Sequence, residues 1–184
     1  MPALHFPDPP LADDVVSLRA PTEADVPAWW RATQDPLVPK YTPVSPDQTQ
    51  EDLHAFLAQR GPEREAGRSI VLVIADRATD ELLGTVSLFN FDWNARRGEI
   101  GYLLGPWGRG RGAATHAVRL LSRWALETVG LARLELYADI ENEPSQRVAE
   151  RCRFAREGVL RSLEERRGRR HDFVLFSLLP SDLA

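Results

Sequence analysis

The sequence predicts a mixed α/β (α+β) fold, a mostly antiparallel central sheet of about six to seven strands flanked by about four helices in one domain. Three observations carry this. Short apolar runs of strand character alternate with segments of helical period along the whole chain. Only one stretch, residues 99–138, has the strand–helix–strand form that demands a parallel pair. Finally, 184 residues with 43% hydrophobic content suffice for one substantial core.

Residues 1–13 are proline-rich and polar and read as an extended arm, leaving 14–184 as the single domain. Val15-Val16-Ser17-Leu18-Arg19 is a first strand. Thr22, with Asp25 three residues on, caps a helix that runs to about Thr33. Residues 35–45 hold three prolines and are expected to be irregular. Ser45-Pro46-Asp47-Gln48 has the form of a helix start, and Leu53, Phe56 and Leu57 follow at i, i+3 and i+4. Residues 69–76 and 82–91 are apolar strands joined by the polar turn Arg77-Ala78-Thr79-Asp80. Residues 92–96 turn into a strand carrying Glu99, which passes through a glycine-rich turn into a helix from Ala113 to about Thr128. Residues 131–138 alternate as a strand, Asn142 and Pro144 open a short helix, and His171 to Leu178 form a closing strand. No repeat or low-complexity segment interrupts this order.

Bulk properties exclude several classes. No run approaches the length of a membrane helix, and the first residues have no signal-peptide pattern. The single cysteine, Cys152, rules out an internal disulfide, which suits a reducing cytoplasm. Four scattered histidines and one cysteine give no metal-ligand spacing, so no metal is expected. A net charge of −4 argues against a general nucleic-acid binder. The basic run Arg166-Arg167-Gly168-Arg169-Arg170-His171 reads either as a solvated hairpin tip or as a contact for an acidic substrate, partner or RNA.

The most informative stretch is Gly105-Pro106-Trp107-Gly108-Arg109-Gly110-Arg111-Gly112-Ala113-Ala114-Thr115-His116-Ala117. Glycines let the backbone approach a ligand, and the helix start that follows offers unpaired N–H groups at the positive end of its dipole. Together they make an anion site, most naturally for phosphate. A Walker A loop requires Lys and Ser/Thr after the second glycine, and Arg111-Gly112 stands there instead. A dinucleotide fingerprint requires a third glycine where Ala113 or Thr115 lies.

The run Arg109-Gly110-Arg111-Gly112-Ala113-Ala114 does fit [Arg/Gln]-x-x-Gly-x-[Gly/Ala], and so resembles the acetyl-coenzyme-A pyrophosphate loop of the GNAT superfamily of N-acetyltransferases. Downstream, residues 142–154 resemble the Asn-x-x-Ser…Glu-Lys-x-Gly-Phe signature of its ribosomal-protein N-acetyltransferase branch. Arg151 replaces the lysine. Arg153 replaces the glycine, so the left-handed cap of that helix is either strained or absent. The closing strand is similar as well, and the resemblance spans residues 14–180.

This resemblance implies acetyl transfer from acetyl-CoA to a primary amine, by direct attack in a ternary complex. It implies pyrophosphate contacts from the backbone of Arg109, Gly110, Arg111, Gly112, Ala113 and Ala114, with a hydroxyl from Thr115. Leu103 and Leu104, at the end of the preceding strand, and Asn142 are implied to hold the remainder of the cofactor. Glu99, on the strand leading into the loop, is the implied base; Ser145 is the implied acid, with Tyr137 as an alternative, since a tyrosine pKa near 10 suits a leaving thiolate. The implied acceptor is a protein N-terminus, ribosomal by branch resemblance, or a small amine, and a homodimer is compatible with such folds. The competing reading is a coenzyme-A-binding module without turnover.

Overall fold

Residues 1–183 are described by the computed structural model. In chain order the strands are β1 (Leu11–Ala12), β2 (Val16–Arg19), β3 (Ile70–Asp76), β4 (Leu82–Asp92), β5 (Arg97–Leu104), β6 (Arg133–Asp139), β7 (Ala155–Arg166) and β8 (Arg169–Leu178). The α-helices are α1 (Val26–Thr33), α2 (Leu37–Tyr41), α3 (Gln50–Glu65), α4 (Ala113–Glu127) and α5 (Glu143–Arg151). All strands join one sheet in the order β1-β2-β3-β4-β5-β6-β8-β7. Every neighbouring pair is antiparallel except β5 and β6, which α4 connects as a crossover. The mixed, mostly antiparallel architecture is therefore as expected, with one more strand and one more helix than anticipated.

Both faces of the sheet are covered, and β3 shows why. Its run Ile70-Val71-Leu72-Val73-Ile74-Ala75 lacks polar alternation because each face is buried. Ile70, Leu72 and Ile74 join the larger core with Val118 and Leu121 of α4, Ala149 of α5 and Phe176 of β8. Val71, Val73 and Ala75 join a second cluster with Val26 and Trp29 of α1 and Leu53 of α3. The Leu53, Phe56, Leu57 stripe packs there, and Trp29 meets Phe56 edge-on at 5.7 Å.

Three local expectations are corrected. Residues 37–41 are helical despite Pro39, because the proline falls in the first turn, where a missing N–H breaks no helical bond. Val38, 4% exposed, anchors that turn. Next, α3 starts at Gln50 rather than after Ser45: Thr49 accepts from the Asp52 amide at 3.1 Å while the Asp52 carboxylate accepts from the Thr49 amide at 2.8 Å. That reciprocal box outcompetes Ser45, which caps only a turn through the Asp47 amide. The third is at the amino end, where Leu11–Ala12 pair with β2, and Leu4 is 3% exposed and bonded to Arg64.

After α5 the chain closes with Arg153 at φ +65° and the Phe154 amide bonded to the Ala149 carbonyl at 3.0 Å. The left-handed cap is thus present and occupied by a residue with a Cβ, a conformation that costs about 1–2 kcal/mol.

Candidate active site

The sheet splits at its one parallel pair. The β5–β6 ladder covers only Arg97↔Arg133, Gly98↔Leu134 and Glu99↔Glu135. Beyond these, β5 runs to Leu104 bonded to β4 on its other side, and β6 runs to Asp139 bonded to β8. A wedge opens between two backbone edges that carry no ladder toward each other among the described residues.

The glycine-rich turn lies at the wide end of the wedge. A 3-10 turn, Pro106–Gly108, precedes it, and Gly110 and Gly112 take φ +74° and +77°. Gly112 is the N-cap of α4, and the first intrahelical bond runs from the His116 amide to the Gly112 carbonyl at 3.1 Å. The amides of Ala113, Ala114 and Thr115 precede that ladder. Gly108 packs so closely on Leu83 that an added Cβ would lie 2.7 Å from its carbonyl oxygen, whereas Gly110 faces open space. Both arginine side chains of the turn are already engaged. Arg109 binds the Asp35 carboxylate at 2.9 and 3.2 Å and the Leu104 carbonyl at 3.1 Å, and Arg111 binds Asp76 at 2.6 Å. Among the expected cofactor residues, these two present backbone rather than free charge.

Glu99 and Glu135 stand side by side where the wedge begins, and on a strand of period two Tyr137 shares their face. Their environments separate them. Burial would raise Glu135, but Arg133 at 2.8 Å, the Tyr137 hydroxyl at 3.0 Å and Arg97 at 3.3 Å outweigh it and hold its pKa below the usual value. Glu99 accepts one hydrogen bond, from Asn90 Nδ2 at 2.9 Å, and burial with the neighbouring carboxylates pushes its pKa up to about 6. Asn90 reaches it because β4 carries a register shift between Phe89 and Asp92, where Asn90 takes φ +51°. Tyr137 donates its proton to Glu135, and burial plus that carboxylate raise its pKa to about 12.

Ser145 lies on the opposite face, in the first turn of α5, with its amide bonded to Asn142 Oδ1 at 3.3 Å. Asn142 is therefore the helix cap. The Tyr102 hydroxyl donates to Ser145 Oγ at 3.1 Å, and burial raises the Tyr102 pKa to about 12. Thus the structure groups Glu99 with Tyr137 on one side of the wedge and Ser145 with Asn142 on the other. It does not bring Tyr137 to Ser145. Leu103 and Leu104 lie on β5 where the wedge is open, half-buried. Asn90, Tyr102 and Glu135 were not singled out from sequence. Tyr102 had a signal, its position one strand period before Leu104; Asn90 had none, since the bulge sets its aim.

The basic run is not a solvated tip throughout. Arg166, 9% exposed, binds Asp139 at 2.6 Å and the Lys40 carbonyl at 2.8 Å, and His171 also meets Asp139 at 2.8 Å. Arg167 donates to the carbonyls of Pro39 and Val44, tying the β7–β8 turn to α2.

A sheet parted beside a helix start, with a weakly tethered carboxylate at the root of the gap, is the architecture of an enzyme site for an extended, phosphorylated ligand. Residues 16–155 match the acetyltransferase (GNAT) domain model, and the chain belongs to that family. It is 35% identical over 153 residues, 82% of this chain and 84% of the relative, to the uncharacterised N-acetyltransferase p20 of Bacillus licheniformis. It is 40% identical over 98 residues, 53% and 54% of the two chains, to YdaF of Bacillus subtilis (strain 168), provisionally named a ribosomal N-acetyltransferase. Among solved structures, RimJ of Mycobacterium smegmatis in complex with a coenzyme A disulfide superposes with a TM-score of 0.83 at 24% identity, covering 91% of this chain and 83% of that one.

Proposed function

We propose that this acetyltransferase moves the acetyl group of acetyl-CoA to the α-amine of a protein N-terminus, in a ternary complex and without a covalent enzyme intermediate. The observation that carries this is Glu99, a carboxyl with pKa about 6 and no cation at salt-bridge distance among the described residues, at the root of the wedge. A base poised just below neutral pH accepts a proton from an incoming ammonium while remaining ionised at physiological pH. Glu135, held charged by two guanidinium groups, is a poorer base and serves to keep Glu99 basic.

In this reading the wedge fits the cosubstrate by its unpaired edges. The β5 edge around Leu103 and Leu104 offers backbone partners to an amide-containing arm, and the amides of residues 109–115 suit a pyrophosphate. Acetyl-CoA supplies an activated thioester. The amine nitrogen attacks the carbonyl carbon, its proton passes to Glu99, the C–S bond breaks, and the thiolate takes a proton from Ser145 Oγ. Ser145 Oγ is reprotonated through the Tyr102 hydroxyl that donates to it, and Tyr102 regains its proton from solvent as Glu99 releases the one it took. Tyr137 is assigned to orienting Glu135, since its hydroxyl is committed there. The name of the YdaF relative, a ribosomal N-acetyltransferase, supports a ribosomal protein as acceptor.

The test is thiol release from acetyl-CoA over a panel of N-terminal peptides, polyamines, amino acids and aminoglycosides. Peptides are expected to give the highest kcat/KM. Turnover confined to polyamines would reject the acceptor, and no turnover on any amine would favour a coenzyme-A-binding module.

A further inference from the structure

Beyond Glu99 the acceptor face is electrically bipolar. On β6, Glu135, Tyr137 and Asp139 share one face, and Asp139 pairs in register with Phe173 of β8, so His171 lies on that face as well. Along this face the character changes sign. Near Glu99 stand Glu135 and Glu164, both acting on it through space. At the far end, a surface cavity of about 240 Å3 lies between α2, the end of β6 and the tip of the β7–β8 hairpin. Its walls include Lys40, Arg166, Arg167 and Arg169 against two carboxylates, Asp139 and Glu141. The lining alone carries an excess of two positive charges, reduced to one by Glu164, which reaches Arg166 at 3.5 Å from outside it, in a chain whose net charge is −4.

The excess is located. Arg166 is neutralised by Asp139 at 2.6 Å, with Glu164 a second carboxylate at 3.5 Å. Lys40 and Arg169 share one carboxylate, Glu141, at 3.8 and 2.8 Å. Arg167 has neutral carbonyl oxygens as its partners, those of Pro39 and Val44. The side chains of Lys40 and Arg169 are 50% and 69% exposed, so the uncompensated charge is accessible.

We infer that this cavity is an acceptor subsite for an acidic side chain, carried by a peptide whose N-terminal amine lies at Glu99. The inference rests on the peptide reading above. From Glu135, beside Glu99, to Asp139 is four strand residues, about 13 Å. An extended peptide covers about 3.3–3.6 Å per residue, so the acid belongs at roughly its third to fifth position. A peptide fits better than a nucleic acid because one end of this face is acidic and would repel a second phosphate.

The experiment compares two heptapeptides that differ only by Asp or Asn at position four, with thiol release read as KM and kcat. The wild-type protein is expected to show a KM roughly three- to tenfold lower for the Asp peptide with similar kcat, the size two partly exposed ion pairs provide. The preference is expected to shrink in 0.5 M salt. The double variant K40Q/R169Q is expected to bring the KM ratio near one, and Glu141→Gln, which frees both cations, to enlarge it. Because the two variants move the ratio in opposite directions, general damage to the fold cannot imitate the result. Equal KM values for the two peptides in the wild-type protein would overturn the subsite alone. Turnover of polyamines with none of either peptide would overturn the peptide reading and the subsite together. Salt-sensitive capture of single-stranded RNA, lost in K40Q/R169Q and without any peptide preference, would assign the cluster to nucleic acid instead.

Discussion

Glu99 and Glu135 are adjacent carboxylates on one sheet face, and the difference between them is a difference of partners. Two arginines and a tyrosine hold Glu135; one asparagine amide holds Glu99. Glu99→Gln is expected to lower turnover at least tenfold while leaving coenzyme A affinity unchanged, as measured by thiol release and calorimetry. In the wild type, kcat/KM should rise with pH through about 6 as Glu99 ionises. The same shift has a stability consequence of opposite sign. A carboxyl whose folded pKa is raised to about 6 stabilises the fold when protonated, and that contribution is lost as pH rises through 6. Glu99→Gln should therefore be more stable than wild type at pH 8, by about 1–2 kcal/mol, and no more stable at pH 4. Thermal melts at the two pH values decide it. Across the wedge, Ser145→Ala and Tyr102→Phe are each expected to slow turnover several-fold, with the serine the larger; normal turnover in Ser145→Ala would reduce that hydroxyl to a hydrogen-bond acceptor for Tyr102.

Between elements, the glycine turn and the hairpin tip fail in different ways. Gly112→Val forces a β-branched residue into φ +77° beside the His116 ring, so coenzyme A affinity should fall at least tenfold while the core is unaffected. Arg166→Met leaves Asp139, at a 3% exposed position, with only His171 and the Glu141 amide as partners, and should cost part of the ~3–5 kcal/mol that a fully uncompensated buried charge costs. Chemical denaturation should show it, with detachment of α2 as the first event. These elements also mark how much the sequence reveals. The glycine-rich turn and the Asn142 cap were readable because each depends on local chemistry, a positive φ or a side chain bonding three residues on. So was β3, from its unbroken apolar run. The helical turn at 37–41 was hidden because Val38 burial and the hairpin's arginines stabilise it from outside. The start of α3 was misplaced because two serviceable caps lie four residues apart and the reciprocal one wins. Asn90 was invisible because a bulge aims it.

Taken as a whole, the molecule is two half-sheets, β1 to β5 and β6 to β8, joined by three ladder pairs, with α4 and α5 on one face and α1 and α3 on the other. A ligand that fills the wedge binds the folded state alone, so coenzyme A at a hundred times its Kd should add about 2.7 kcal/mol. For a chain of this size that corresponds to a melting-temperature rise of roughly 5–10 °C. The short ladder also sets where the fold breathes. Residues 100–104 sit in a strand yet lean on a neighbour on one side, so their outward amides should exchange with deuterium far faster than those of β3, which is bonded along both edges. With the wedge filled, that contrast should vanish, because the cosubstrate then serves as the sheet's missing strand and the two halves open only together.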